Sequence, residues 1–156
     1  MNPAQFREFF PALRGTVWLD TPAAPPGTDP VVQALRDAVS AWFSWVGACA
    51  ALRLLCSLDA GRVERHCLDL ATRFTSHAAD LGLARVTGGP PSQIVVVRTA
   101  EAERLAGLLR QQGIRATALG DRLRFGFHYF NNGDDLARTV RALSYALGRG
   151  VRSVRT

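Results

Sequence analysis

Up to Gly82 the apolar positions of this chain fall mostly at helical spacing; beyond it, runs with the two-residue period of strands appear between them. Pro3 to Phe10 predicts a short helix that Pro11 stops, and Thr16-Val17-Trp18-Leu19 predicts a brief strand. After a proline-rich loop, Asp29-Pro30 offers an N-cap followed by proline at the first helical position. Val31, Val32, Leu35, Val39, Trp42 and Phe43 then form one apolar stripe, predicting an amphipathic helix. Helical spacing holds from Val46 through Leu58, with Gly47 either a break or a point of close packing. Asp59 is placed to cap a further helix over Gly61 to Leu81, which Gly82 stops.

Past Gly82, Gln93 to Arg98 is a β-branched run set between Gly-Gly-Pro-Pro and Thr-Ala-Glu, which predicts a buried strand. Glu101 and Glu103 suit the first turn of a helix ending near Gly113. Ile114 to Leu119 and Arg122 to Tyr129 predict two strands joined by a tight turn at Gly120-Asp121. Asn131 or Asn132 caps a last helix with the stripe Leu136, Val140, Leu143 and Leu147. The order after Gly82 is thus β-α-β-β-α, and the predicted fold is α+β, a small, mainly antiparallel sheet with helices on one face. Residues 1–147 are expected to form a single domain, an N-terminal segment and helix (1–45) followed by 46–147, with 148–156 as a disordered basic tail.

The alternation of the strand from Leu123 sorts its side chains. Leu123, Phe125, Phe127 and Tyr129 share one face, expected in the core; Arg122, Arg124, Gly126 and His128 share the other. A guanidinium presents a planar fork to a carboxylate, and an imidazole gives or takes a proton near neutral pH. This second face is the chain's candidate site.

Composition bounds what that site could serve. The chain has 156 residues, enough for one core, with 47% hydrophobic and 21% charged residues. No apolar run reaches the ~20 residues of a membrane span, and the N-terminal stretch lacks a secretory pattern, so no membrane role and a cytoplasmic location are expected. Cys49, Cys56 and Cys67 are odd in number and lie in helical segments, which predicts reduced, buried thiols rather than disulfides. No metal-binding spacing occurs, and neither metal nor cofactor is expected. The net charge of +6 comes from 19 basic residues, every one an arginine. They are scattered without aromatic interleaving, so nucleic acid is not the expected partner.

Leu123-Arg124-Phe125-Gly126-Phe127-His128-Tyr129-Phe130-Asn131-Asn132-Gly133-Asp134-Asp135-Leu136 resembles the Arg-x-Ser-x-His-x-Tyr-Asn signature near the end of class V aminotransferases. That family includes cysteine desulfurases and isopenicillin N epimerase-like proteins, which are pyridoxal phosphate enzymes of fold type I. Gly126 stands in place of the usual serine and Phe130 in place of the usual tyrosine. Phe9 to Ala24, with Trp18-Leu19-Asp20-Thr21-Pro22-Ala23-Ala24, resembles the family's opening segment, close to Tyr-Leu-Asp-Thr-Ala-Ala, and the likeness continues through Pro30 to Leu35. Gly47 to Leu52, with the helix around Arg62 to Leu70, is similar to the family's small-domain helices. Together these stretches cover nearly all of the chain, in the family's order. The large domain that relatives carry between them, with its cofactor lysine, is missing at a junction near Trp45-Val46. By this resemblance Arg124 binds a substrate carboxylate, with Asp20, Thr21, His128 and Asn131 around it. The residues by themselves also allow simpler roles: Arg124 in an ion pair, His128 as a packed strand histidine, Asn131 as a helix cap and Asp20 in a turn.

Three readings follow. The first is a repurposed protein of secondary metabolism type that binds, or binds and transforms without pyridoxal phosphate, a small carboxylate-bearing metabolite at Arg124 and His128, in the latter case as a cofactor-independent lyase, isomerase or cyclase. The second is a non-catalytic subunit that docks on a full-length relative or another enzyme. The third is a decayed remnant. A domain that has lost its larger neighbour keeps an apolar patch. Trp42, Phe43 and Trp45 would either pair two copies into a homodimer or fold back into the chain's own core.

Overall fold

The computed structural model describes residues 1–19, 28–37, 43–86 and 88–148. Helix α1 (Pro3–Arg7) starts from a capping box, in which the Asn2 side chain accepts from the Gln5 amide and Gln5 returns the bond. The helix ends at Arg7, short of the expected Phe10, and Pro11 opens a 3-10 turn (Pro11–Leu13) because its fixed φ suits a first helical position. Strand β1 (Val17–Trp18) follows. The predicted helix over Val31 to Phe43 is divided: α2 covers Asp29–Asp37 with Asp29 in its first turn, and α3 covers Phe43–Cys56. Val39 and Trp42 lie outside the described residues. Gly47 does not break α3 and is buried within it. Helix α4 (Ala60–Asp80) is capped by Asp59, whose carboxylate accepts from the Arg62 amide, and it ends at Gly82 with φ +71°.

The remaining elements are β2 (Ala84–Arg85), β3 (Ile94–Arg98), α5 (Ala102–Gln111), β4 (Ile114–Arg115), β5 (Thr117–Leu119), β6 (Arg122–Gly126) and α6 (Gly133–Ala146). The main sheet has the order β2-β3-β6-β5 and is antiparallel throughout. Its register sets Val95 opposite Phe125 and Val97 opposite Leu123. These four side chains point to one face, where α4, α5 and α6 cover them with Leu70, Phe74, Leu105, Leu109, Leu136 and Leu143. The fold is the α+β arrangement read from the sequence, with helices on one face.

Three details differ from that reading. β2 is an added edge strand. The run Ile114 to Leu119 is not one strand: it breaks at Ala116, so that β4 pairs in parallel with β1 and β5 pairs with β6. β6 stops at Gly126 rather than Tyr129, because Asn131 turns the chain there. Its side-chain oxygen accepts from the His128 amide at 2.9 Å while its own amide donates to the His128 carbonyl.

A second core lies beyond this turn. Phe6, Phe10 and Leu13 from the N-terminal segment meet Cys67, Tyr129 and Phe130. One ion pair links the same parts: Arg7 Nη1 donates to Asp135 Oδ2 at 2.6 Å and to the Phe130 carbonyl at 3.0 Å, while Nη2 donates to Thr16 and Leu13 carbonyls.

Candidate functional site

Arg124 sits in the middle row of the main sheet, on the face opposite the helices. Its neighbours across the ladder are Val96 on β3 and Thr117 on β5, and Nη2 donates to the Thr117 hydroxyl at 3.4 Å. The outer row of this face holds Arg98, Arg122 and Leu119, and the inner row holds Ile94 and Gly126. Gly126 is buried at the end of this face. Asp121 pairs with Arg98 at 3.2 Å and Arg122 at 3.6 Å, at the exposed end. Among the described residues, Asp121 is thus shared by the two arginines of the outer row.

His128 is not carried along this row. Because β6 ends at Gly126, the imidazole enters the second core and stacks on Phe130 with ring centroids 4.8 Å apart, and on Phe6 at 6.3 Å. Among the described residues its buried Nδ1 has no hydrogen-bond partner, and burial lowers its pKa below the ordinary histidine value. The same residue borders an open groove of about 610 Å³ between the α3–α4 corner and the start of β3, with Leu58, Val63, Leu68, Gln93 and Ile94. Arg124 is not among the walls of that groove.

Asn131 is fully buried, and both ends of its amide are engaged: the oxygen with His128, the nitrogen with the Trp18 carbonyl at 3.1 Å and Asp135 at 3.4 Å. Its chemistry here is that of a corner post. The helix cap is Asn132, which forms a capping box with Asp135. Asp20 and Thr21 lie outside the described residues. The preceding Leu19 is buried, and its carbonyl accepts from the Gly126 amide at 2.7 Å, which brings the N-terminal segment to the end of β6.

His66, which lies in no partner pattern along the chain, donates from Nε2 to the Asn131 carbonyl at 2.7 Å and sets its ring edge-on to Tyr129. Nothing local could have revealed it, since 65 residues separate the two. The three thiols are free, but only Cys67 is buried, its pKa pushed up to about 11 by burial. Cys49 and Cys56 are exposed, contrary to the expectation of buried thiols, because they lie on the outward side of α3. Among the described residues no cluster of three metal-ligating side chains occurs, and no helix is long and apolar enough to cross a membrane.

No protein-family model matches the chain. An uncharacterized aminotransferase of Bacillus subtilis (strain 168), YcbU, is 24% identical over 112 residues, which are 70% of this chain and 30% of the aminotransferase. Among solved structures, the apo cysteine desulfurase of Thermococcus onnurineus NA1 superposes with a TM-score of 0.62 at 16% identity, covering 71% of this chain and 32% of that one. The 8-amino-7-oxononanoate synthase of Francisella tularensis superposes with a TM-score of 0.51 at 21% identity, covering 73% and 36%. The chain thus spans about a third of the length of the relatives it matches. Enzymes of fold type I hold pyridoxal phosphate on a lysine, and these 156 residues contain none, so the cofactor does not fit this chain alone by that linkage. The described residues have the small-domain fold of the fold type I pyridoxal phosphate enzymes, and the chain is aminotransferase-like in sequence while spanning 30% of the aminotransferase it matches.

Proposed function

We propose that this chain binds a small carboxylate-bearing molecule on the face of its sheet opposite the helices, with Arg124 as the anchoring residue and no pyridoxal phosphate of its own. The observation that carries this reading is the setting of Arg124: half-buried in a central row, between Val96 and Thr117, whose hydroxyl accepts from Nη2. Partial burial strengthens a charge-assisted hydrogen bond relative to one in open water, and a guanidinium fork matches a carboxylate in plane. Arg98 and Arg122 add a positive field that draws an anion toward the sheet. By the family resemblance, Asp20 and Thr21, which follow Leu19 in the sequence, would contribute polar groups to the same site. His128 and Asn131 act indirectly, by holding the turn that ends β6.

Calorimetric titration with pyruvate and with L-aspartate tests the reading. Saturable millimolar or tighter binding is expected, weakened at least about tenfold in Arg124→Gln. No saturable binding of either probe, or equal binding by the variant, would overturn it.

A further inference from the structure

Helix α3 is apolar around most of its circumference, a composition that in water calls for cover on all sides. α2 packs along one flank, and Gly47 is buried. The opposite flank is bare: Trp45, Leu52 and Leu55 are 70%, 58% and 49% exposed, and Cys49 and Cys56 are exposed beside them. Trp45, Cys49, Leu52 and Cys56 are spaced four, three and four residues apart, the a/d seam of a two-helix coiled coil. Along that seam the side chains run large, small, large, small.

This order selects a particular occupant. Read in reverse it becomes small, large, small, large, so a second copy of the same helix, laid antiparallel, is complementary to it. We propose that the exposed seam of α3 pairs two copies of this chain antiparallel about a two-fold axis level with Ala50 and Ala51. Trp45 then lies against Cys56 of the second copy, and Leu52 against its Cys49. One patch serves both partners, as an isologous contact requires. Arg53 is the only charged residue of α3. The two Arg53 side chains lie off the seam and roughly 7–8 Å apart along the axis, so the pairing opposes no like charges directly. An aromatic side chain contributes on the order of 150–250 Å², and the whole seam on the order of 500 Å² per copy. The total of about 1,000 Å² is the lower bound of a specific interface, so the pair should be weak and dissociate on dilution.

Sedimentation velocity over a concentration series tests the pairing, with Leu52→Glu as the disrupting variant and Leu52→Ala as a milder one should the first fail to fold. The wild-type chain is expected to pass from monomer to dimer at micromolar concentrations, and either variant to need at least tenfold more protein. A chain that stays monomeric into the hundreds of micromolar, or that pairs only with a different protein, overturns the proposal, as does a variant that dimerises like the wild type. A short bismaleimide reads the direction. In the antiparallel pair the two Cys49 residues are about 4.5 Å apart along the axis and the two Cys56 residues about 16 Å apart. Cross-linking should therefore occur in Cys56→Ser and be absent in Cys49→Ser; equal yields would mean a parallel contact and overturn the geometry.

Discussion

An imidazole stacked between aromatic rings is stable while neutral, and charging it there costs its hydration. His128 is in that position, against Phe130 and Phe6, with a buried Nδ1 that has no hydrogen-bond partner among the described residues. Glu64 borders the same groove, yet burial sets the direction and the folded pKa is lowered from 6.5. Below pH 6.5 the unfolded chain therefore binds a proton that the folded chain refuses, and stability falls as pH drops from 6.5 through the lowered folded value. Asp135 acts with the opposite sign. Burial raises its pKa from 3.8 against the pull of Arg7, so its contribution is fully present below 3.8 and is lost as pH rises through the raised value. His128→Phe keeps a ring in the stack and removes the titration. Its urea midpoint, relative to wild type, should rise between pH 7.5 and 5.5; a pH-independent difference would mean that burial of His128 does not govern this slope. At this scale the sequence was informative where alternation decided, placing Leu123 and Phe125 in the core and Arg124 opposite them. It was silent on Arg7–Asp135 and His66–Asn131, because contacts between residues 128 and 65 positions apart leave no local pattern.

Elements with a period were legible and those without one were not. α4, α5 and α6 and the strands β3 and β6 follow from stripes, caps and β-branched runs within a few residues of their ends. β1, β2 and β4 are two residues long, too short to show alternation, and only their partners make them strands. The break at Ala116 exists because the chain leaves β1 for β6 within one residue, a switch fixed by tertiary pairing. Gly113 positions that switch. It closes α5 with φ +71°, and its carbonyl accepts from the Val17 amide that starts the parallel pair. A Cβ at this residue would lie 3.0 Å from the Gly15 carbonyl oxygen, a backbone atom that cannot swing away. Gly113→Ala combines that contact with a left-handed backbone and should cost about 2 kcal/mol. Urea denaturation measures it, and a loss below about 0.5 kcal/mol would show that β1 and β4 adjust freely.

On the scale of the whole chain, the N-terminal segment is what completes a module spanning only about a third of its relatives' length. Val17 and Leu19 enter the core of the sheet, while Phe6, Phe10 and Leu13 build the second core against Tyr129 and Phe130. The two cores meet at the turn after β6, where Asn131 bonds Trp18 and His128 stacks on Phe6. The N-terminal segment is therefore integral to the Gly126 end of the sheet. Phe6→Ala tests this. The ring is buried and touches Phe10, Tyr129 and His128, so its removal should cost about 3 kcal/mol or more. It should also open His128 to water and bring its pKa back toward 6.5, reducing the loss of stability on acidification. Hydrogen exchange should then show lost protection first in α1 and around Tyr129–Phe130, while β3 and β6 stay protected by the helical layer. Uniform loss across the sheet would mean instead that the two cores unfold as one cooperative unit, and that Arg124 owes its position to the N-terminal segment as much as to its own strand.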